Sequence, residues 1–181
     1  MTQCQFCADC PYATFPPEVE SYFEFKEGSY WIYRDVSNNT FDSLYIISSS
    51  KRLGVRHCGD AHLDQRIGSK SLEMYLTINA KDLSLFLTGG DFVSNRINFG
   101  TTFSQTILNK RYENLVAVDN CCVSNTCSSY FKTCETINSS IFLINSFVFA
   151  PNIGLIKWET EKHPIYGKTT FELVRYKIVK P

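Results

Sequence analysis

At 181 residues the chain fits one domain and can bury a single hydrophobic core without metals or cross-links. Its 18 basic and 18 acidic residues cancel to a formal net charge of zero, which argues against a nucleic-acid binder, because phosphates are neutralised by a positive excess. No stretch approaches the ~20 apolar residues of a membrane-spanning helix; the most apolar, Ser139 to Ala150, is broken by Asn145 and Ser146.

The chain begins with Cys4, Cys7 and Cys10 in C-x-x-C-x-x-C spacing, followed at once by Pro11. This spacing evokes an iron–sulfur or zinc site, but each needs a fourth ligand, and Ala13 to Glu18 supplies none. Residues 1–17 therefore read as a Cys-rich N-terminal arm, closed by Pro16-Pro17, ahead of a single β-rich domain over 18–181. Nothing apolar precedes Cys4, so no signal peptide is expected within this chain. A lipid anchor upstream stays open, although Gln3 stands where a lipidation signal wants a small residue before Cys4.

After the arm, Pro17 to Phe23 suits one or two helical turns, with proline early and acids in the first turn. The nearby Glu18, Glu20, Glu24 and Glu27 read as a solvated surface. Gly28–Asp35 and Asp42–Ser50 flank the turn-rich "VSNNTF" and predict a hairpin. "KRLGVRH", Lys51 to His57, reads as a solvated loop. "RHCGDAHLD", Arg56 to Asp64, gathers His57, Cys58 and His62 with two aspartates. Those are the residue types of a metal site, but a polar loop between strands explains them as well.

Ser71 to Asn79 alternates cleanly, with Leu72, Met74, Leu76 and Ile78 on one side and Glu73, Tyr75, Thr77 and Asn79 on the other. Alternation of this kind predicts a strand with one buried face. Leu83–Thr88 completes a second hairpin, and Gly89-Gly90 turns the chain again. Gly100–Leu115 fits either a helical turn or an edge strand. Further strands are expected at 112–119, 129–137, 141–150, 153–159 and 170–179, and His163 is expected in a hairpin loop. Short strands joined by Gly, Asn, Ser and Pro turns, with little helix, predict a mainly antiparallel β domain. There is no G-x-S-x-G elbow and no glycine-rich phosphate loop, and nothing commits the chain to catalysis.

Eight cysteines are an even number and heavy usage for a chain that could fold without them. Reducing cytosol disfavours such counts, which points to an exported protein. Disulfides are the expected use of Cys4, Cys7, Cys10, Cys58, Cys121, Cys122, Cys127 and Cys134. The three N-terminal cysteines would reach the 121–134 region, with Cys58 a further partner.

"FVFAPNIGLIKWE", Phe147 to Glu159, resembles the Y-Y-F-A-P-G-V-G-L-V-K-x-E pattern of exported bacterial proteins and lipoproteins of uncharacterised function. "FEFKEGSYWIYRD", Phe23 to Asp35, is similar to their opening strand. Asn152 stands where that pattern has glycine, a change asparagine tolerates because it accepts φ > 0 more readily than most residues. The resemblance implies a strongly curved sheet, half-barrel or barrel-like, of the lipoprotein-carrier type. It further implies a concave face lined by Trp31, Tyr33, Phe147, Phe149 and Trp158, although buried aromatics commonly serve packing alone. The resemblance brings no catalytic residues.

The expectation is an exported, non-enzymatic protein of the bacterial envelope, periplasmic or associated with the outer membrane or cell surface. It would bind an apolar small molecule, a lipid or a partner protein, with no cofactor and no nucleic acid. The alternative is a structural or assembly component acting through its surface. A metal-dependent enzyme built on His57, Cys58 and His62 comes third.

Overall fold

A computed structural model describes residues 15–53, 61–69, 73–80, 83, 85–88, 92–93, 97–119, 143–162 and 167–180. One helix, α1 (Pro17–Phe23), precedes eleven strands: β1 (Tyr30–Asp35), β2 (Phe41–Leu53), β3 (Ala61–Gly68), β4 (Glu73–Asn79), β5 (Leu85–Thr88), β6 (Phe92–Val93), β7 (Phe103–Ile107), β8 (Lys110–Asp119), β9 (Leu143–Ala150), β10 (Gly154–Lys162) and β11 (Thr169–Lys177). They form one antiparallel sheet in the order β6-β5-β4-β3-β2-β1-β11-β10-β9-β8-β7. The single break in the sequential meander is β1 against β11, which zips the two ends of the chain together.

The expected elements appear where alternation was clearest. The β1–β2 and β4–β5 hairpins pair as read from the sequence, and α1 starts at its proline with Glu18 and Glu20 in the first turn. Gly100–Leu115 resolves in favour of the strand: β7 turns tightly at Leu108-Asn109 into β8. The 129–137 strand and His163 lie outside the described residues.

Three expectations need correction. The sheet is open, not curled into a half-barrel: β6 and β7 end the strand order and, among the described residues, do not pair with each other. The described architecture stands on its strand pairing and core without a disulfide: no cross-link joins any described residue, and all eight cysteines lie outside the described positions. The polar loop expected across Lys51–Asp64 is strand at both of its described ends. Lys51, Arg52 and Leu53 extend β2, and β3 begins at Ala61, with residues 54–60 outside the description. Polar side chains hid the alternation of β3, whose Ala61, Leu63 and Ile67 are buried.

One face of the sheet carries the core. Leu44, Ile46, Leu63, Ile67, Leu76 and Ile78 come from β2–β4, and Ile144, Phe147, Phe149, Ile156, Trp158, Phe171 and Leu173 from β9–β11. Onto this face α1 lays Val19, Tyr22 and Phe23, all buried. Aromatic rings set the spacing: Phe23 lies 4.6 Å from Phe149, and Trp158 stacks on Phe171 at 4.1 Å. No helix among the described residues is long and apolar enough to cross a membrane.

The turn Pro151–Ile153 between β9 and β10 holds this packing together. Asn152 (φ 61°) and Gly154 (φ 86°) both sit in left-handed backbone, which asparagine and glycine accept most readily. Gly154 also lies beneath a ring: a Cβ there would come within 2.7 Å of Phe25 Cε2 and 3.2 Å of Trp31 Cζ2. Gly154→Ala should therefore lower unfolding free energy by about 1–3 kcal/mol, combining positive-φ strain with overpacking. Chemical denaturation of the variant checks this, and a change within error of zero contradicts the close approach.

At the far end of the β1–β2 hairpin, Asp35 is fully buried. Its Oδ1 accepts from the backbone N–H groups of Ser37 (2.7 Å) and Asn38 (3.2 Å) and from the Thr169 hydroxyl. Its Oδ2 accepts from Asn38 Nδ2 at 2.8 Å. Burial alone would raise this carboxyl, but the hydrogen bonds from Thr169, Asn38 and Ser37 outweigh it and hold the carboxyl below its ordinary value. Because the folded group titrates below its unfolded counterpart, its stabilisation is complete above about pH 4. It is lost as pH falls through the folded value. Asp35→Ala should cost about 2 kcal/mol at neutral pH and remove part of the acid-side loss of stability, as urea midpoints from neutral to acidic pH would show.

Candidate functional site

Between α1 and the sheet face remains a partly open space of about 50 Å³. Its walls are Tyr22, Phe23 and Phe25 from the N-terminal segment, Trp31 and Tyr33 from β1, Leu44 and Ile46 from β2, Gln65 and Ile67 from β3, Leu76 from β4, Phe147 and Phe149 from β9, and Leu155 from β10. Period-two alternation aims the strand residues here, and α1 places its own rings opposite.

The polar ends of these side chains are turned into the scaffold. Trp31 Nε1 donates to the Ile153 carbonyl at 2.6 Å, and the Tyr33 hydroxyl to the Leu155 carbonyl at 3.0 Å. The Tyr22 hydroxyl donates to the Asn114 carbonyl. Gln65, only 4% exposed, sends Nε2 to the carbonyls of Phe23 (2.9 Å) and Phe25 (3.2 Å) and to Ser49 Oγ (3.3 Å). The Phe23 carbonyl is among those that the end of α1 leaves without a helical partner, and Phe25 follows just beyond it, so Gln65 ties the helix to β3. With donors engaged, the surface left facing the space is hydrocarbon, which can hold an apolar group and offers little to a charged one.

Proton chemistry near neutrality has no purchase on these walls. Burial pushes the Tyr33 phenol well above its ordinary value, with Asp42 adding to the effect, and burial raises Tyr22 as well.

Of the five aromatic residues expected to line a ligand face, Trp31, Tyr33, Phe147 and Phe149 do meet at this space. Trp158 does not; it packs edge-on to Tyr33 at 6.4 Å and flat on Phe171. All five are buried. Gln65 carries no apolar signal in the sequence although it occupies an inward position of β3. Its neighbours Leu63 and Ile67 carried the usable signal.

The residues of the metal reading fall apart differently. His57 and Cys58 lie outside the described residues, and His62 is half-buried on β3. Among the described residues no group of three His, Cys, Asp or Glu side chains could hold a metal ion. The carboxylates near α1 are more than a solvated surface: Glu20 and Glu24 both grip Lys51 of β2, at 2.8 and 2.7 Å.

Compared with known proteins, the chain matches no family model, no curated protein and no solved structure. The resemblance drawn from Phe23–Asp35 and Phe147–Glu159 is corrected accordingly. Those segments owe their pattern to packing at the Pro151–Gly154 turn, and they carry no membership in the lipoprotein-carrier class.

Proposed function

We propose that this chain is a non-enzymatic binding protein that takes a small apolar ligand, or the end of an acyl chain, beneath α1. The observation supporting this most directly is the apolar space lined by Phe23, Trp31, Phe149 and Leu76, whose few polar neighbours are already engaged. At about 50 Å³ the space admits only a few carbon atoms, so a larger ligand must shift the short N-terminal segment. That segment is held by Gln65, by Lys51 and by the bond from Asn152 N–H to the Ser21 carbonyl. The proposed setting is an exported one outside the reducing cytosol, supported by the eight cysteines, which are unusual for a cytosolic chain; fractionation showing the native protein only in cytosol would overturn that setting.

Surface contact is the second reading. It is favoured by Val36, Phe41, Tyr45, Tyr75, Phe103 and Val174, large apolar or aromatic side chains that stand exposed.

Benzene and 1-octanol, titrated separately against labelled protein, should shift amide signals around Phe23, Leu76 and Phe149. Leu76→Phe, which fills the space, should weaken that binding by about tenfold or more, a change of about 1.4 kcal/mol. Absence of shifts with both probes, or equal shifts in the filled variant, removes the internal site.

A further inference from the structure

The opposite face of β2–β4 carries a second, chemically different concavity. Strand register sets two cross-strand rows there: Ser48, Arg66 and Tyr75 in one, and Ser50, Asp64 and Thr77 in the next. These side chains line a groove of about 200 Å³ on the outside of the sheet. Tyr75 is 51% exposed, and Tyr45, 44% exposed, lies over Gly68, where any Cβ would collide with its ring. Arg66 stands near both phenols.

The charges of the groove are already matched. Arg66 makes a two-pronged contact with Glu73, through Nε and through Nη2 at 2.8 Å, and the Tyr75 hydroxyl donates to the same carboxylate at 3.1 Å. Asp64 accepts from Arg52 on one oxygen and from the Thr77 hydroxyl, at 2.8 Å, on the other. Two cations and two anions thus cancel locally, and each is held in place. An ionic ligand would have to break one of these pairs. A neutral one would not.

What the groove offers beyond its pairs is specific. Asp64 retains lone pairs, since a carboxylate has about four acceptor sites. Arg66 has N–H groups beyond the two used on Glu73, because guanidinium carries about five. Ser48 and Ser50 are exposed hydroxyl-bearing residues, and two phenol rings present apolar faces beside them. Fixed donors and acceptors next to aromatic faces match a molecule with hydroxyls around its rim and C–H groups on its faces.

We propose that the outer groove of β2–β4 binds a neutral carbohydrate, with one hexose-sized unit seated among Ser48, Ser50, Asp64, Arg66 and Tyr75. The sugar's C–H face lies against Tyr75, while its hydroxyls donate to Asp64 and accept from Arg66. Tyr45 extends the aromatic surface toward a neighbouring sugar unit. This site is independent of the apolar space on the other face, and either can stand without the other.

Saturation-transfer NMR on the full chain, using maltotriose, cellotriose, mannotriose and tri-N-acetylchitotriose as probes, tests it. At least one probe should give transfer to its ring protons. Tyr75→Ala should weaken the binding about tenfold or more, and so should Ser50→Trp, which fills the groove without removing a packed atom. Val174→Ala, an exposed change on β11, should leave it intact. No transfer from any of the four overturns the proposal. So does transfer that persists in both groove variants, or binding confined to a sulfated sugar used as a charged control. Self-association that Tyr75→Ala disperses, without any sugar signal, would show instead that this face meets a second copy of the chain.

Discussion

The close approach of Phe25 and Trp31 to the backbone at Gly154 is the constraint on which the rest of this fold depends. Only a residue without a side chain leaves room for those rings, and only left-handed backbone turns the chain there from β9 into β10. Once the turn is made, its carbonyls fall where two buried donors need them, Ile153 for the Trp31 indole and Leu155 for the Tyr33 phenol. Both rings can then enter the core without stranding a polar atom. The turn also takes Asn152 N–H to the Ser21 carbonyl, so α1 is seated by the same few residues.

The two faces of the sheet solve different problems. Inside, polar groups are few and directed into carbonyls, and aromatic rings leave a small hydrocarbon gap that rigid rings cannot fully close. Outside, across β2–β4, charges are paired side by side where water still reaches them, so they add little to stability but hold each other's geometry. Asp35 belongs to neither pattern. It is a buried anion that ends one hairpin and, through Thr169, locks it to β11, joining strands 134 residues apart.

How much of this could be read in advance depended on how loudly each strand alternates. β4 announces itself because Leu76 and Ile78 go in while Glu73 and Tyr75 stay out. β3 follows the same rule, but Gln65 occupies an inward position and His62, Asp64 and Arg66 crowd the other, so it resembled a loop. The aromatic residues of the inner site were recognisable one by one as core. Their meeting at one space was not, because Trp31 and Phe149 approach each other only after β1 has paired with β11 and β10 with β9. The outer groove was invisible for the same reason, since Ser48, Arg66 and Tyr75 share nothing but a register.

By itself the amino-acid sequence determined the β-rich character, the helix at Pro17 and the first hairpin turns, because local backbone preference and side-chain alternation act over a few residues. Tertiary structure alone decided that β1 joins β11, that the sheet stays open between β6 and β7, and that Gln65 tethers α1. These are choices among long-range pairings, and each is settled by which buried donors and rings find partners in three dimensions. No short stretch of chain contains that information.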